Sequence, residues 1–343
     1  MLQGDITDLK EAQSLSFEKE YIDIYQISWG PDDDGKTFDG PGLITQHVLK
    51  DGVSNGRKGL GSVFVLASGT GGRQGDDCNA DGYVSSIYTI GISSVDKKNR
   101  RPTFSEKCAA ILATAYSGER KYGTGFPSAG IGSESCSMHD GTAVSASIAT
   151  GIYALLLEVN PSLTWRDVQH ITVESAQKDS LLGNEGWVEN GAGFFVSHSF
   201  GFGLLDAEKM VEKARKWVQV APQMRCETTA TMKKENMKIV SVNCPEITRL
   251  EHVHLHVKIE SDSVKRGNIS ISLTSPSNTK SIMMSRRIND KVIRGFDTSF
   301  WPLMSTHFWG ENTAGEWTIT DETKNTFSGA KFSIICYGTG LQT

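Results

Sequence analysis

The sequence predicts two units in tandem: an α/β unit whose parallel sheet is covered by helices on both faces, then an all-β antiparallel sandwich. Two observations carry this expectation. Up to about residue 217, short apolar runs alternate with amphipathic stretches, the pattern of buried parallel strands and crossover helices. Beyond that point apolar and polar residues alternate with a period of two, as in half-buried antiparallel strands. A chain of 343 residues is long enough for two cores. We expect units at 1–217 and 223–343, joined through WVQVAPQ (217–223).

In the first unit, IDIYQIS (22–28), SVFVLAS (62–68), YTIGISS (88–94) and AAILATAYS (109–117) are rich in β-branched residues and read as buried strands. A helix is expected over about 41–53, between the first two. A second, apolar almost throughout, is expected over about 142–158, stopped by Asn160-Pro161. Thr164-Trp165-Arg166-Asp167 is an N-cap signal with an acid at the third helical position. In the second unit, HVHLHVKIE (252–260), NISISLTSP (268–276), KSIMMS (280–285), EWTITD (316–321) and KFSIICYG (331–338) read as strands between Gly, Asn and Pro turns.

Hydrophobic residues make up 38% and charged residues 22% of the chain, as in ordinary globular proteins. The net charge of −5 argues against a nucleic-acid binder and fits a basic partner. No apolar run of about 18 residues is expected to span a membrane, and the polar, acidic start MLQGDITDLKEAQ is unlike a signal peptide. Six cysteines allow a disulfide framework, and equally six unpaired core thiols. His252, His254 and His256 share one face of a strand; a polar face turned outward is the stronger expectation than a metal site. Asn268-Ile269-Ser270 is a glycosylation sequon if the chain is secreted.

Several stretches in register resemble the furin/kexin-type proprotein convertases, subtilisin-like serine endoproteases. They are SWGPDDDGKTFDGP (28–41), GSVFVLASGTGG (61–72), DDCNADGY (76–83), LTWRDVQH (163–170), SFGFGLLDA (199–207), RLEHV (249–253) and RGFDTSFWPLMSTHFWGENTAGEW (294–317). The resemblance runs nearly the whole length of the chain. It implies a subtilisin-like α/β domain over 1–217, its N-terminal part missing, and a jelly-roll-like P domain over 223–343. It also implies calcium-dependent cleavage after paired basic residues in the secretory pathway.

The same resemblance fixes expectations for single residues. The triad Asp and His fall on sequence preceding Met1, and no histidine in this chain is followed by Gly-Thr. Ala143 stands at the nucleophile position, where a methyl group replaces the attacking oxygen. Ser145 would need a two-residue shift, about 200° around a helix. Thr70 stands where the family's Asn donates to the oxyanion. Asp33 and Asp81 line the pocket for the basic side chain beside the cleaved bond. Asp39, Glu11 and Tyr83 form a pocket further upstream on the peptide, with Asp5 and Asp8 near its rim. Asp33, Asp76 and Glu106 match a structural Ca2+ site, a donor set suited to a hard cation. Cys78–Cys108 and Cys226–Cys244 match family disulfides; Cys136 lacks its partner, and Cys336 has no counterpart.

Three functional readings follow. The chain is a convertase-family member that is itself inactive; or a pseudoprotease holding basic peptides or propeptides; or a fragment or decayed paralogue of an active enzyme. The retained acids beside a lost nucleophile motivate the second.

Overall fold

The computed structural model describes residues 5–119, 123, 125–130, 136–231, 237–259, 264–293, 301–323 and 330–340. Its first sheet consists of β1 (Ile24–Ile27), β2 (Val63–Ala67), β3 (Thr89–Val95) and β4 (Ala113–Tyr116), parallel and in chain order. Because successive side chains alternate, Phe64 and Leu66 of β2 face Leu49 and Val53 of α2 (Leu43–Asn55). Val63 and Val65 face the opposite way, toward Ala146, Ala149 and Tyr153 of α3 (Thr142–Val159). The expected buried strands and two-sided helical cover are borne out. A short helix, α1 (Asp8–Leu15), packs beside α2.

The apolar helix expected over about 142–158 is present as α3. It is long and apolar enough by length and composition to cross a membrane. Here one face lies against the parallel sheet, with Ala146, Ala149, Tyr153 and Leu156 fully buried. The sequence signal of α4 (Trp165–Ser175) is realised as a capping box: Thr164 Oγ1 accepts from the Asp167 N–H at 3.1 Å, and the Thr164 N–H donates to Asp167 Oδ2 at 2.7 Å. α5 (Ala207–Arg215) follows and packs on α3 and α4. Two small hairpins complete the first unit, β5 (Phe126–Ala129) with β6 (Cys136–His139) and β7 (Trp187–Glu189) with β8 (Phe195–Ser197).

The second unit has two four-stranded antiparallel sheets. One runs β10 (Met237–Val242), β15 (Gly315–Asp321), β12 (Ile271–Thr274), β13 (Lys280–Met284). The other runs β14 (Trp301–Ser305), β11 (Arg249–Lys258), β16 (Lys331–Thr339), β9 (Met224–Thr231). Val240, Leu273, Trp317 and Ile319 of the first meet Val253, Leu255, Phe332 and Ile334 of the second in the sandwich core. The 294–300 part of the long family-like stretch lies outside the described residues.

Most of the outer face of β11 is covered. His252 and His254 are buried, His252 edge-on to Trp309 at 5.2 Å and His254 edge-on to Tyr337 at 5.5 Å, while His256 is only half-buried. This corrects the outward-facing expectation: period two identifies two faces but not which one meets solvent. Beside them, Glu251 of β11 accepts from Arg166 Nε at 3.0 Å, His170 Nε2 at 2.9 Å and Gln223 Nε2 at 2.8 Å. Arg166 also donates to the Ala221 carbonyl at 2.8 Å, tying down the segment between the units. Burial opposes ionisation of Glu251, yet the bonds from His170 and Arg166 hold its carboxyl far below the usual range.

Replacing one member of this buried network leaves an uncompensated charge. Glu251→Gln is expected to cost on the order of 3–5 kcal/mol in urea unfolding; a loss within experimental noise would refute the assignment. A second expectation concerns pH. Burial pushes His198 and His252 down to about 4, from the 6.5 usual for an imidazole. The neutral forms belong to the folded state, so their contribution is present above pH 6.5 and is lost as pH falls toward 4. Imidazole NMR titrations of these two residues should show midpoints near 4; midpoints near 6.5 would contradict their burial.

Candidate functional site

The acids expected at the pocket converge on the ends of the parallel strands and the loops behind them. Asp33, Asp76, Asp81 and Glu106 line one cavity of about 10 Å3, roughly the room for a single water or small ion. The backbone is drawn in close to them. Gly69 has φ +103°, and a Cβ built on it would meet Glu106 Oε1 at 2.3 Å. Any larger residue would push into the acid.

Each carboxylate is oriented by donors of its own. Glu106 Oε1 accepts from the Gly71 N–H at 2.9 Å, and Asp81 Oδ1 from the Tyr83 N–H at 2.6 Å. Asp76 accepts from the N–H groups of Gly35 at 2.7 Å and Asp77 at 2.8 Å. Asp33 Oδ2 takes both the N–H and the hydroxyl of Thr70, at 2.7 and 2.6 Å. Among the described residues, Asp33, Asp81 and Glu106 each retain one oxygen without a protein hydrogen-bond donor. Burial, then the charges of Asp76 and Asp33, raise Glu106 well above the usual carboxylate range. Burial, with the charges of Asp33 and Asp76, pushes Asp81 up to about 7. These three acids are thus short of positive charge, and their hard oxygen donors fit a divalent cation or a guanidinium. Among the described residues, no three of these carboxylates bring oxygens within 4.8 Å of one another, so a cage of direct ligands needs them to close in or to share water. The described trio that does lie that close, Cys226, Cys244 and Glu246, has both sulfurs in a disulfide.

The second unit reaches this site. Arg287, fully buried, donates from Nε to Asp76 Oδ1 at 2.9 Å and from Nη2 to the Thr37 carbonyl at 2.7 Å. Arg266 donates to the Lys36 carbonyl at 2.6 Å. Both guanidinium carbons lie 4.4 Å from the centre of the Phe38 ring. The loop from Asp33 to Asp39 is thus gripped from behind by two arginines. Sequence reasoning missed them, because nothing near residues 266 or 287 marks a partner more than 200 positions away.

Upstream of the cavity, the Tyr83 hydroxyl donates to Glu11 Oε2 at 2.6 Å, and Trp29 Nε1 donates to Glu11 Oε1. Burial raises the Tyr83 phenol, and the Glu11 bond and the charges of Glu11, Asp81 and Asp39 raise it further. Asp39 is exposed beside Asp81 in an isolated parallel bridge and lines a cleft of about 600 Å3 with Tyr88, His254 and Trp301. Asp5 is exposed. Asp8 serves a different purpose. Its carboxylate accepts from the N–H groups of Ile44 at 3.0 Å and Thr45 at 2.9 Å, capping α2.

Ala143 lies in the first turn of α3 and lines a cleft of about 440 Å3 with His139, Asp140 and Ser147. The helix start is pinned to the Thr70 loop, since Thr142 Oγ1 lies 3.2 Å from both the N–H and the carbonyl of Gly69. Ser145 is fully buried, with its hydroxyl on Ser94 Oγ at 2.8 Å and the Ala115 carbonyl at 3.0 Å. The structure joins Cys78 to Cys108 and Cys226 to Cys244, while Cys136 and Cys336 are free.

The cap formed by Asp8 gives a direct test. Asp8→Ala should lower the thermal midpoint and leave affinity for a basic peptide within about twofold. A large loss of affinity with unchanged stability would make Asp8 a pocket residue instead.

Residues 2–203 match the subtilase family and residues 250–332 the proprotein convertase P-domain. The chain is 43% identical over 360 residues to proprotein convertase subtilisin/kexin type 6 of Rattus norvegicus, covering 99% of this chain and 38% of that protein. It is 44% identical over 356 residues to furin-like protease 1 of Drosophila melanogaster, covering 99% and 27%. With furin of Mus musculus it shares 42% over 360 residues, covering 100% and 45%. The chain thus spans less than half the length of each of these relatives. Among solved structures, a serine protease of Aeromonas sobria superposes with a TM-score of 0.76 at 19% identity, over 92% of this chain and 71% of that one. The same protease in complex with its chaperone gives 0.80 at 17% identity, over 98% and 74%; both are likenesses of fold. With the subtilase match covering more than half of the chain and a convertase P-domain behind it, the chain belongs to the subtilase family, in its furin/kexin-type proprotein convertase branch.

Proposed function

We propose that this chain is a convertase module of the secretory pathway that holds Lys/Arg-rich peptides or propeptides in a calcium-braced acidic pocket and does not hydrolyse them. The observation that carries this reading is the convergence of Asp33, Asp76, Asp81 and Glu106 on one small cavity, beside a helix start that offers only the methyl group of Ala143. A basic side chain leaving water needs carboxylates to replace its hydration. Asp33 and Asp81 supply them at the inner pocket, and Glu11, Tyr83 and Asp39 at the upstream one.

Asp33, Asp76 and Glu106 are the residues that would hold Ca2+. When bound, the ion neutralises carboxylates that otherwise repel one another. The two disulfides suit an oxidising compartment.

Silence in catalysis follows from magnitudes. In subtilisin, losing the nucleophile or the base alone costs about 10⁶-fold in rate, while losing one oxyanion donor costs about 10²–10³. Ala143 therefore weighs more than Thr70. A second reading, a fragment or decayed paralogue of an endoprotease cutting after paired basic residues, rests on the family resemblance; Ala143, well inside the chain, speaks against turnover in either case.

Titration calorimetry should show an Arg-rich peptide binding and its Glu-substituted counterpart not binding; equal affinities would refute the pocket. A dibasic fluorogenic peptide should stay intact, and labelling by a serine-directed phosphonate would overturn inactivity. Calcium should raise the thermal midpoint, with about 2.7 kcal/mol of added stability at 100 times its Kd. An unchanged midpoint would remove calcium from the proposal.

A further inference from the structure

Thr70 is the residue at the oxyanion position, yet its one hydroxyl proton is committed elsewhere. Oγ1 lies 2.6 Å from Asp33 Oδ2, and the Thr70 backbone N–H donates to the same oxygen at 2.7 Å. A threonine hydroxyl has one proton to give, so while this bond stands it has none for a developing oxyanion. The loop is held on both sides: the Gly69 N–H donates to Thr142 Oγ1 at 3.2 Å and the Gly71 N–H to Glu106 Oε1 at 2.9 Å.

We propose that Thr70 is a positioning residue for ligand selection: it saturates Asp33 Oδ2 with two donors and thereby holds the second oxygen, Oδ1, for the incoming basic group. A position associated with turnover in the family is here a brace for the pocket. This rests on the acidic-pocket reading above. The bonds to Oδ2 are charge-assisted, short, and made by a side chain with a single rotatable bond to its hydroxyl carbon, so the carboxylate is preorganised at little entropic cost.

The test uses the full chain and p-aminobenzamidine, an amidinium whose fluorescence reports binding. Thr70→Val keeps the shape and removes the hydroxyl. It should weaken binding about tenfold, the scale of one hydrogen bond to a charged group. Thr70→Ser restores the donor and should bind within about twofold of the natural chain. A residue that merely stabilised the loop would shift the thermal midpoint without this split between Val and Ser. Equal affinity of the natural chain and the Val variant would overturn the inference, as would a Ser variant as weak as Val. If the natural chain itself does not bind the probe, the pocket reading falls, and the role of Thr70 falls with it. Because Thr70 is exposed, both variants are expected to fold; should Val not fold, Thr70→Ala, which also removes the hydroxyl, is expected to show the same tenfold loss, and natural affinity in it would overturn the inference.

Discussion

One carboxylate from the second unit, buried among groups of the first, holds the two halves of this molecule in register. Glu251 lies on β11, Arg166 and His170 on α4, and 81 to 85 positions of chain separate them. Placed in a dry interface, the charge of Glu251 is tolerable only because the guanidinium, the imidazole and Gln223 meet it together. That requirement fixes where β11 docks on α4, which in turn buries His252, His254 and Trp309. It also anchors the connecting segment through Ala221.

From that docking the acidic site inherits its far wall. Backbone groups further along the interface repeat the pattern of mutual satisfaction: Asn79 donates to the Met283 and Met304 carbonyls at 2.9 and 3.1 Å, and Thr306 donates to the Ala109 carbonyl at 2.9 Å. Each such bond offsets the cost of taking its polar groups out of water. Arg287 reaches Asp76 across the same interface.

Much of this was legible in the sequence, for local reasons. Thr164 and Asp167 stand three residues apart and make the capping box that their spacing announces. β2 of the parallel sheet is apolar on both faces because both faces are covered. Two of the stretches that carry the family resemblance, LTWRDVQH and RLEHV, turn out to supply the two sides of the Arg166, His170 and Glu251 contact. What could not be read was long-range. The period-two pattern of His252, His254 and His256 marks a face without naming its neighbour. Asp8 looks like any acid near a pocket until α2, about 36 positions away, is seen to begin at its oxygens. The commitment of Thr70 to Asp33 depends on a rotamer that no spacing reveals.

The grip of Arg266 and Arg287 on residues 36–38 has a consequence for how such a molecule diversifies. The carbonyls they hold belong to the same loop as Asp33 and Asp39, so an ångström of shift in the second unit is passed on to both acids. Exchanging the second unit for that of a relative would not be a neutral transplant. It would shift Asp33 and Asp39 through their shared loop and replace His254 and Trp301 on the opposite wall of the cleft, changing the shape and charge of the site from a distance and at first hand together.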